Sequence, residues 1–218
     1  MKISGAIFDT DGTLIESMYV WETVASTYVK SLGKEPAEDL DSYAIRVSVP
    51  DTSAKIKKEY APELSEAEIA EGLQALVYER YKNEVPIKDS FVREFLSGLY
   101  EKGIPMYVAT GTARHLIVSA LERLDLRKYF TDVISTVDTG VNKHHPDVYL
   151  LLADKIGASP SDIAVFEDAK YAAKTAKDAG FYVTGVYSDF FREDWEEIKS
   201  FTDCNIRSYE EILGKFEK

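Results

Sequence analysis

From about residue 87 onward, the sequence alternates between short runs with strand character and longer segments with helical periodicity. The strand-like runs lie at 105–109, 132–135, 163–166 and 182–186. Parallel strands need crossover connections of about a dozen residues, and the intervening helices supply them. The alternation therefore predicts an α/β fold, a doubly wound parallel sheet with helices on both faces. In such sheets ligands bind beyond the carboxyl ends of the strands, so the residues that follow each strand are candidates for a site.

The segment between residues 16 and 87 differs from the rest, because no convincing strand interrupts it. Helical periodicity predicts helices over 17–32, 36–43, 52–60 and 65–81. Pro50 and Pro62 are expected to break the chain between these helices, and Ser65 with Glu68 forms a capping-box start. We therefore expect a helical domain over residues 16–87, inserted into a core domain formed by residues 1–15 and 88–218.

Composition and charge argue against several classes of function. The 218 residues carry a net charge of -12 with no basic cluster, which argues against nucleic-acid partners and against binding to an anionic membrane. A single cysteine, Cys204, rules out an intrachain disulfide, and no stretch is long and apolar enough to span a bilayer. The N-terminus shows no charged-then-apolar signal segment, so a cytoplasmic location is expected. These features carry no signal for the oligomeric state.

Residues 9–14, with the sequence D-T-D-G-T-L, directly follow a strand predicted over residues 3–8. Two carboxylates two residues apart in extended chain point to the same side, so Asp9 and Asp11 repel each other and need a cation. Hard oxygen ligands with a local double negative charge suit Mg²⁺. Gly12 lets the backbone turn sharply, and Thr13 offers a hydroxyl and an amide to a phosphate oxygen.

The D-x-D-G-T-L pattern after a strand resembles the first motif of the haloacid dehalogenase-like superfamily, most of whose members are phosphatases. In that family the first Asp is the nucleophile and the second is the general acid/base, which implies these roles for Asp9 and Asp11. The resemblance covers residues 1 to about 15 and 88–218, and it implies a Rossmann-like core. The helical block resembles, in position and type, the α-helical cap of the subfamily that includes phosphoglycolate phosphatase and β-phosphoglucomutase.

The second motif of the family is a Ser or Thr after a hydrophobic strand, and here the strand at 105–109 is followed by Thr110, Gly111 and Thr112. The resemblance implies that the Thr110 hydroxyl and the Gly111 amide hold the phosphate group of the substrate. The helix that begins near Ala113 would point its free N–H groups the same way. Alternatively, Thr110 or Thr112 caps that helix.

Residues 143–149, K-H-H-P-D-V-Y, resemble the third motif of the family, K-P-x-P-D-x-[FY], with His144 in place of the first Pro. The resemblance implies that Lys143 neutralises the phosphate and the charge of Asp9, which makes it a catalytic and phosphate-binding residue. The adjacent His144 and His145 have no further ligands at metal-binding spacing, which argues against a zinc site.

Glu167 and Asp168 follow the strand at 163–166 and match the fourth motif, whose acids complete the magnesium site. The resemblance implies that Asp168 is a metal ligand and that Glu167 is a more distant or water-mediated partner. Asp168 is also a reasonable N-cap for the helix predicted over 169–179. The family's usual Gly after the acids is missing, and Lys170 and Tyr171 occupy that loop.

Together the four motifs imply a Mg²⁺-dependent phosphatase that hydrolyses a small phosphorylated metabolite through an aspartyl-phosphate intermediate. The implied metal ligands are Asp9, Asp168 and the backbone carbonyl of Asp11, with the cap closing over the site. A dehalogenase is disfavoured, because the resemblance places no second metal-site acid in that branch. A phosphomutase of the β-phosphoglucomutase type uses the same core and remains an alternative, and a non-catalytic binding protein is a third interpretation.

The inserted helical block carries the candidate substrate contacts Tyr19, Trp21 and Arg46, together with Lys55. Mutase caps resemble this one but carry an Arg where Val49 lies and a His where Trp21 lies. An apolar Val and a bulky Trp suit a small or partly apolar leaving group better than a bisphosphate. The sequence therefore favours the phosphatase over the mutase.

Overall fold

The computed structural model describes residues 1–140 and 142–218. The chain divides into two compact units, a core unit formed by Met1–Glu16 with Pro86–Lys218 and a helical unit formed by Ser17–Val85. The unit boundaries differ by one or two residues from the boundaries that the sequence suggested, 15/16 and 87/88.

The sheet of the core unit consists, within the described residues, of six parallel strands: β1 (Gly5–Phe8), β2 (Met106–Thr110), β3 (Asp132–Ser135), β4 (Ile163–Glu167), β5 (Tyr182–Val186) and β6 (Cys204–Ile206). Their order is β3-β2-β1-β4-β5-β6, so the chain winds outward from β1 in both directions. The predicted doubly wound parallel sheet is confirmed. β1 is shorter than expected, because the N–H groups of Ile3 and Ser4 bond to Glu217 and Asp162 outside the sheet.

The helical unit contains α1 (Met18–Ser31), α2 (Leu40–Ala44), α3 (Val49–Glu59) and α4 (Glu66–Asn83). The capping box that begins α4 is confirmed, with reciprocal hydrogen bonds between Ser65 and Glu68. The break expected at Pro50 is wrong, because Pro50 lies in the first turn of α3, where its missing N–H costs nothing. The helix expected over 36–43 is also wrong in extent, since α2 begins at Leu40 and the preceding Ala37 N–H bonds to the Tyr60 hydroxyl.

The core unit contains α5 (Val92–Glu101), α6 (Arg114–Arg123), α7 (Thr136–Thr139), α8 (Asp147–Ile156), α9 (Lys170–Asp178) and α10 (Trp195–Phe201). α8 ends at Gly157, whose left-handed backbone, with φ of 75°, closes the helix. Helical periodicity in residues 208–216 of the sequence predicts a further helix, and this prediction is wrong. Only the 3₁₀ turn Tyr209–Ile212 forms there, because Gly214 turns the backbone and Phe216 is buried among aromatic rings.

Both faces of the sheet are buried. On one face, Ile7, Val165 and Val183 share a hydrophobic cluster with residues of α8 and α9. On the other face, the rings of Phe8 and Phe166 stack with centroids 4.4 Å apart and contact further aromatic rings from α5 and the C-terminal segment. Close packing on both sides holds the carboxyl ends of β1 and β4 in place.

Candidate active site

The predicted site residues come together at the carboxyl ends of neighbouring strands. Asp9 follows β1, Thr110 ends β2, Glu167 ends β4 and Asp168 comes next. β1 lies between β2 and β4, so these three strand ends are adjacent. Lys143 reaches the group from the loop before α8, and all five side chains are buried. The arrangement follows the rule that parallel sheets present their chemistry at this edge.

Lys143 connects two of the buried carboxylates. Its Nζ donates to Asp9 Oδ1 at 2.5 Å and to Glu167 Oε1 at 2.6 Å. The hydroxyl of Tyr149 donates to the same Glu167 Oε1 at 2.8 Å. Lys143 therefore pairs with Asp9, and its predicted contact with phosphate stays a prediction. Burial raises the pKa of Tyr149 well above its ordinary value, so its hydroxyl keeps the proton that it donates.

Negative charge exceeds positive charge in this cluster. Asp9, Glu167 and Asp168 each offer a carboxylate oxygen, and these oxygens all lie within 4.8 Å of one another. Burial raises the pKa of Asp9 to about 7, although the neighbouring ammonium of Lys143 opposes this shift. Burial also raises the pKa of Asp168 well above its ordinary value. Three carboxylates against one ammonium ion form a site that a divalent cation would neutralise.

The donor set fits a hard divalent cation. Glu167 Oε2 and Asp168 Oδ2 are buried, and neither has a hydrogen-bond partner among the described residues. Buried polar atoms without a partner are costly, and carboxylate oxygens are the ligands that Mg²⁺ prefers. Glu167 thus belongs to the same group as Asp9 and Asp168, and the more distant position expected for it from the sequence is not required.

Gly12 makes room for this cluster. Its backbone has a φ of 84°, and a Cβ at this position would lie 2.0 Å from Asp168 Oδ2. A side chain there would displace the carboxylate and strain the backbone. The glycine of the D-T-D-G-T-L segment is therefore needed for close approach to Asp168 as well as for the turn.

The Asp11 side chain lies outside the group of three carboxylates. It is partly exposed, and its Oδ2 accepts a long hydrogen bond of 3.5 Å from the Thr10 hydroxyl. Its charge contributes to the raised pKa of Asp9, after the larger effects of burial and of Lys143 and Glu167. The two aspartates are therefore close, and the metal contact predicted for the Asp11 backbone carbonyl stays a prediction.

Thr110 and Thr13, the two threonines predicted to bind phosphate, have different hydrogen-bond partners. Thr110 Oγ1 accepts hydrogen bonds from the Thr10 hydroxyl at 2.9 Å and from the Thr112 N–H at 3.1 Å. The N-cap of α6 is Ala113 without a side-chain bond, so neither Thr110 nor Thr112 caps that helix. Thr13 donates its N–H to the Thr10 carbonyl and its hydroxyl to Asp168, so it supports the carboxylate cluster from within the core unit.

The N-terminus of α6 is partly occupied. The N–H of Arg114, the first residue of the helix, donates to Asp138 Oδ2 at 3.0 Å. The expectation that this helix directs its free N–H groups at a phosphate is therefore wrong for that N–H. Gly111 lies in the turn between β2 and α6, where its amide stays a predicted phosphate ligand.

The loop after Asp168 also differs from the expectation. α9 has its N-cap at Ala169 with no side-chain bond, so Asp168 is not a helix cap. Lys170 and Tyr171 form the first turn of the helix and not a loop. The Tyr171 ring stacks on His144 with centroids 4.3 Å apart. Tyr171 lies where the family usually has a Gly and His144 lies where it has a Pro, so these two differences from the family pattern contact each other.

Sequence reasoning missed two residues near the cluster. Tyr149 matches the last position of the third motif, which implies no role for its hydroxyl. The hydroxyl of Ser188 is buried beside Asp168 and favours its ionised form, although it forms no hydrogen bond of good geometry among the described residues. Ser188 lies two residues after β5, so the strand-end rule would have found it.

Most of the side chains predicted to contact the substrate pair with other residues of the helical unit. Three of the four side chains pair within the unit: Trp21 with Tyr81, Tyr19 with Arg80, and Lys55 with Glu59. Arg46 is exposed. These pairings give Trp21, Tyr19 and Lys55 packing roles of their own, and their substrate contacts stay a prediction.

We expect Lys143→Met to destabilise the metal-free protein by about 3–5 kcal/mol, because it leaves buried carboxylates without a counter-charge. Lys174→Met is the matched control, since it breaks an exposed pair with Asp178 and should change stability little. Urea unfolding with a chelator present measures both variants. Equal stability of the two variants would contradict the counter-charge role of Lys143.

The fold and this site define a class of hydrolase, and comparison with known families agrees. The model of the haloacid dehalogenase-like hydrolase family matches residues 3–180, and the chain belongs to this family. Phosphorylated carbohydrates phosphatase of Thermotoga maritima is 31% identical over 185 residues, covering 82% of each chain. Phosphoglycolate phosphatase of Shigella dysenteriae is 28% identical, covering 82% of this chain and 79% of its own. The predictions of the family and of a hydrolase are therefore confirmed.

The fold is similar to that of solved structures. A crystal structure of a proposed β-phosphoglucomutase from Thermotoga maritima covers 97% of both chains with a TM-score of 0.83 and 24% identity. At this identity the likeness concerns the fold. Within the described residues, no helix is both long enough and apolar enough to cross a membrane.

Proposed function

We propose that this protein is a Mg²⁺-dependent phosphatase that hydrolyses a small phosphate monoester through an aspartyl-phosphate intermediate. The observation that carries the proposal is the buried cluster at the carboxyl end of β1. There Asp9 pairs with Lys143, and two carboxylate oxygens have no partner among the described residues. Relatives named as phosphatases of phosphorylated carbohydrates and of phosphoglycolate support the same reaction and substrate class.

In the proposed reaction, a carboxylate oxygen of Asp9 attacks phosphorus and forms an acyl-phosphate bond. The bond from phosphorus to the ester oxygen breaks, and Asp11 donates a proton to the leaving alcohol. Asp11 then accepts a proton from a water molecule that attacks phosphorus. This second step breaks the acyl-phosphate bond, releases inorganic phosphate and regenerates Asp9.

The remaining residues bind and orient the phosphoryl group. Lys143, the Thr110 hydroxyl and the Gly111 N–H would hold its oxygens, where charge lies in the transition state. Asp9, Glu167 and Asp168, with the backbone carbonyl of Asp11, would hold Mg²⁺. When bound, the cation supplies positive charge that offsets repulsion between a carboxylate nucleophile and an anionic phosphate.

The helical unit is the proposed source of substrate selectivity. The polar groups of the core cluster would bind the phosphate and the cation. These interactions are the same for every phosphate monoester, so they do not select one substrate over another. Residues that differ from the mutase pattern, Val49 and Trp21, belong to the helical unit. We therefore assign the choice between a monoester and a bisphosphate to this unit.

The test is a phosphate-release assay with an aryl phosphate and a panel of phosphorylated metabolites, with and without Mg²⁺. We expect Mg²⁺-dependent phosphate release from monoesters. We expect no conversion of hexose 1-phosphates to 6-phosphates, with or without a bisphosphate primer, because Val49 and Trp21 replace the residues that the mutase alternative needs. Isomerisation that disappears in Asp9→Asn would establish the mutase, and no turnover of any substrate would favour a binding protein.

Asp11→Asn should slow hydrolysis of alkyl phosphates by about 10²–10⁴-fold, because a poor leaving group needs the proton that Asp11 donates. The aryloxide of an aryl phosphate leaves without protonation, so the rate of the first step should fall less for aryl phosphates. The ratio of kcat/KM for the two substrate types measures this difference. Equal losses for alkyl and aryl substrates would count against the acid/base role of Asp11.

A further inference from the structure

The hydrogen bonds on Glu167 are distributed unevenly between its two carboxylate oxygens. Oε1 accepts from Lys143 Nζ at 2.6 Å and from the Tyr149 hydroxyl at 2.8 Å. Oε2 is buried and has no partner among the described residues. Two donors on one oxygen define the rotation of the carboxylate and leave the other oxygen as its available ligand atom.

Tyr149 is held firmly enough to define that rotation. It lies in the first half of α8 and is fully buried in the hydrophobic cluster on one face of the sheet. Its ring also contacts Phe181, with centroids 6.0 Å apart. A hydroxyl on a ring packed in this way has little freedom, so its hydrogen bond fixes Glu167 relative to the sheet.

Lys143 alone is a less reliable anchor for Glu167. Its ammonium is shared, because it also donates to Asp9 Oδ1. In the proposed reaction Lys143 additionally serves the oxygens of the phosphoryl group, so its donors are redistributed during turnover. The Tyr149 hydroxyl has, among the described residues, Glu167 as its hydrogen-bond acceptor, and this bond does not compete with the substrate.

We propose that Tyr149 is a positioning residue for the divalent cation, acting through Glu167 by holding Oε1 so that Oε2 remains a ligand atom. This inference rests on the proposed function, since it concerns the same metal site. It differs from the roles inferred from the family motifs, because the hydroxyl of Tyr149 donates to Glu167 and would act on the cation only through that carboxylate.

The test is the affinity of the substrate-free protein for Mg²⁺, measured by titration calorimetry. Tyr149→Phe removes the hydroxyl and keeps the ring. We expect its Mg²⁺ dissociation constant to rise about 10-fold or more, as for other groups that orient metal ligands. At saturating Mg²⁺ its kcat should return to within a few-fold of the parent value.

Tyr209→Phe is the matched control. Tyr209 is also fully buried in the core unit, and its hydroxyl has no hydrogen-bond partner among the described residues. Removing that hydroxyl should leave the Mg²⁺ dissociation constant unchanged. Thermal unfolding of both variants in chelator separates an effect on stability from an effect on metal affinity, so a lower unfolding temperature with parental affinity would overturn the proposal.

A double-mutant cycle tests whether Tyr149 acts through Glu167. Glu167→Gln should itself weaken Mg²⁺ binding, and adding Tyr149→Phe to it should change affinity by less than about twofold, because coupled residues are non-additive. The same loss in both backgrounds would overturn the proposal. If the parent binds no Mg²⁺, this inference and the proposed metal site fail together. If the parent binds Mg²⁺ but hydrolyses no phosphate ester, only the proposed function fails.

Discussion

Asp9→Asn is expected to abolish phosphate release, with kcat reduced by about 10⁴-fold or more, because an amide cannot replace the attacking carboxylate. The buried position of Asp9 beside Lys143, which donates to its Oδ1, gives the carboxylate a fixed orientation. The measurement is single-turnover phosphate release from an aryl phosphate at saturating Mg²⁺. Activity within a few-fold of the parent value would rule out Asp9 as the nucleophile.

The same variant should remain folded, which separates a chemical loss from a structural one. Asp9 is one of three buried carboxylates around a single ammonium ion, so removing one negative charge relieves repulsion. We expect the unfolding temperature of metal-free Asp9→Asn to equal or exceed that of the parent. Asp154→Asn is a suitable control, because Asp154 is exposed on α8 and should affect neither activity nor stability.

Removal of the divalent cation is expected to lower activity by roughly 10³-fold, which corresponds to several kcal/mol of transition-state stabilisation. Mg²⁺ should restore activity after chelation, and Ca²⁺ should inhibit. Ca²⁺ takes about 6–8 oxygen ligands at longer distances than Mg²⁺, so it would alter the position of the Asp9 carboxylate relative to phosphorus. Turnover after chelation and stepwise addition of each metal measures the effect.

A binding measurement complements this activity test. Mg²⁺ should raise the unfolding temperature of the parent, because it neutralises the excess charge of the carboxylate cluster. Asp168→Asn should lose most of this rise, since it removes a charge from the group of three. Full activity after exhaustive chelation would exclude a metal from the reaction and reopen the dehalogenase interpretation.

Much of the site could be predicted from local sequence. Asp9, Thr110 and Glu167 each lie at or just past the end of an apolar run, and parallel strands place all such ends at one edge of the sheet. The Ser65–Glu68 capping box could also be predicted from the sequence, because its hydrogen bonds join residues three positions apart. Patterns of this kind depend on neighbours in sequence.

The errors have two sources, a local helix cap that was overlooked and tertiary packing that outweighed local preference. Pro50 resembles a helix breaker, yet it occupies the first turn of α3, and the Ser48 side chain caps that turn. The segment 208–216 has helical periodicity, yet burial of Phe216 among aromatic rings takes the chain out of a helix after one turn. The cap before Pro50 joins residues three positions apart, so it could have been predicted from the sequence, whereas the end of the helical turn at 209–212 depends on what packs against Phe216.

The sequence by itself predicted the doubly wound fold and the strand-end location of the site, because both follow from periodicity and from strand direction. The acidic residues there were predicted from the resemblance to the motifs of the family. Only the tertiary structure decided which oxygen of each carboxylate is paired. Lys143 reaches Asp9 across 134 residues of chain, and Tyr149 reaches Glu167 from a different element. Hydrogen bonds between distant residues depend on the three-dimensional positions of side chains, which no spacing along the chain encodes.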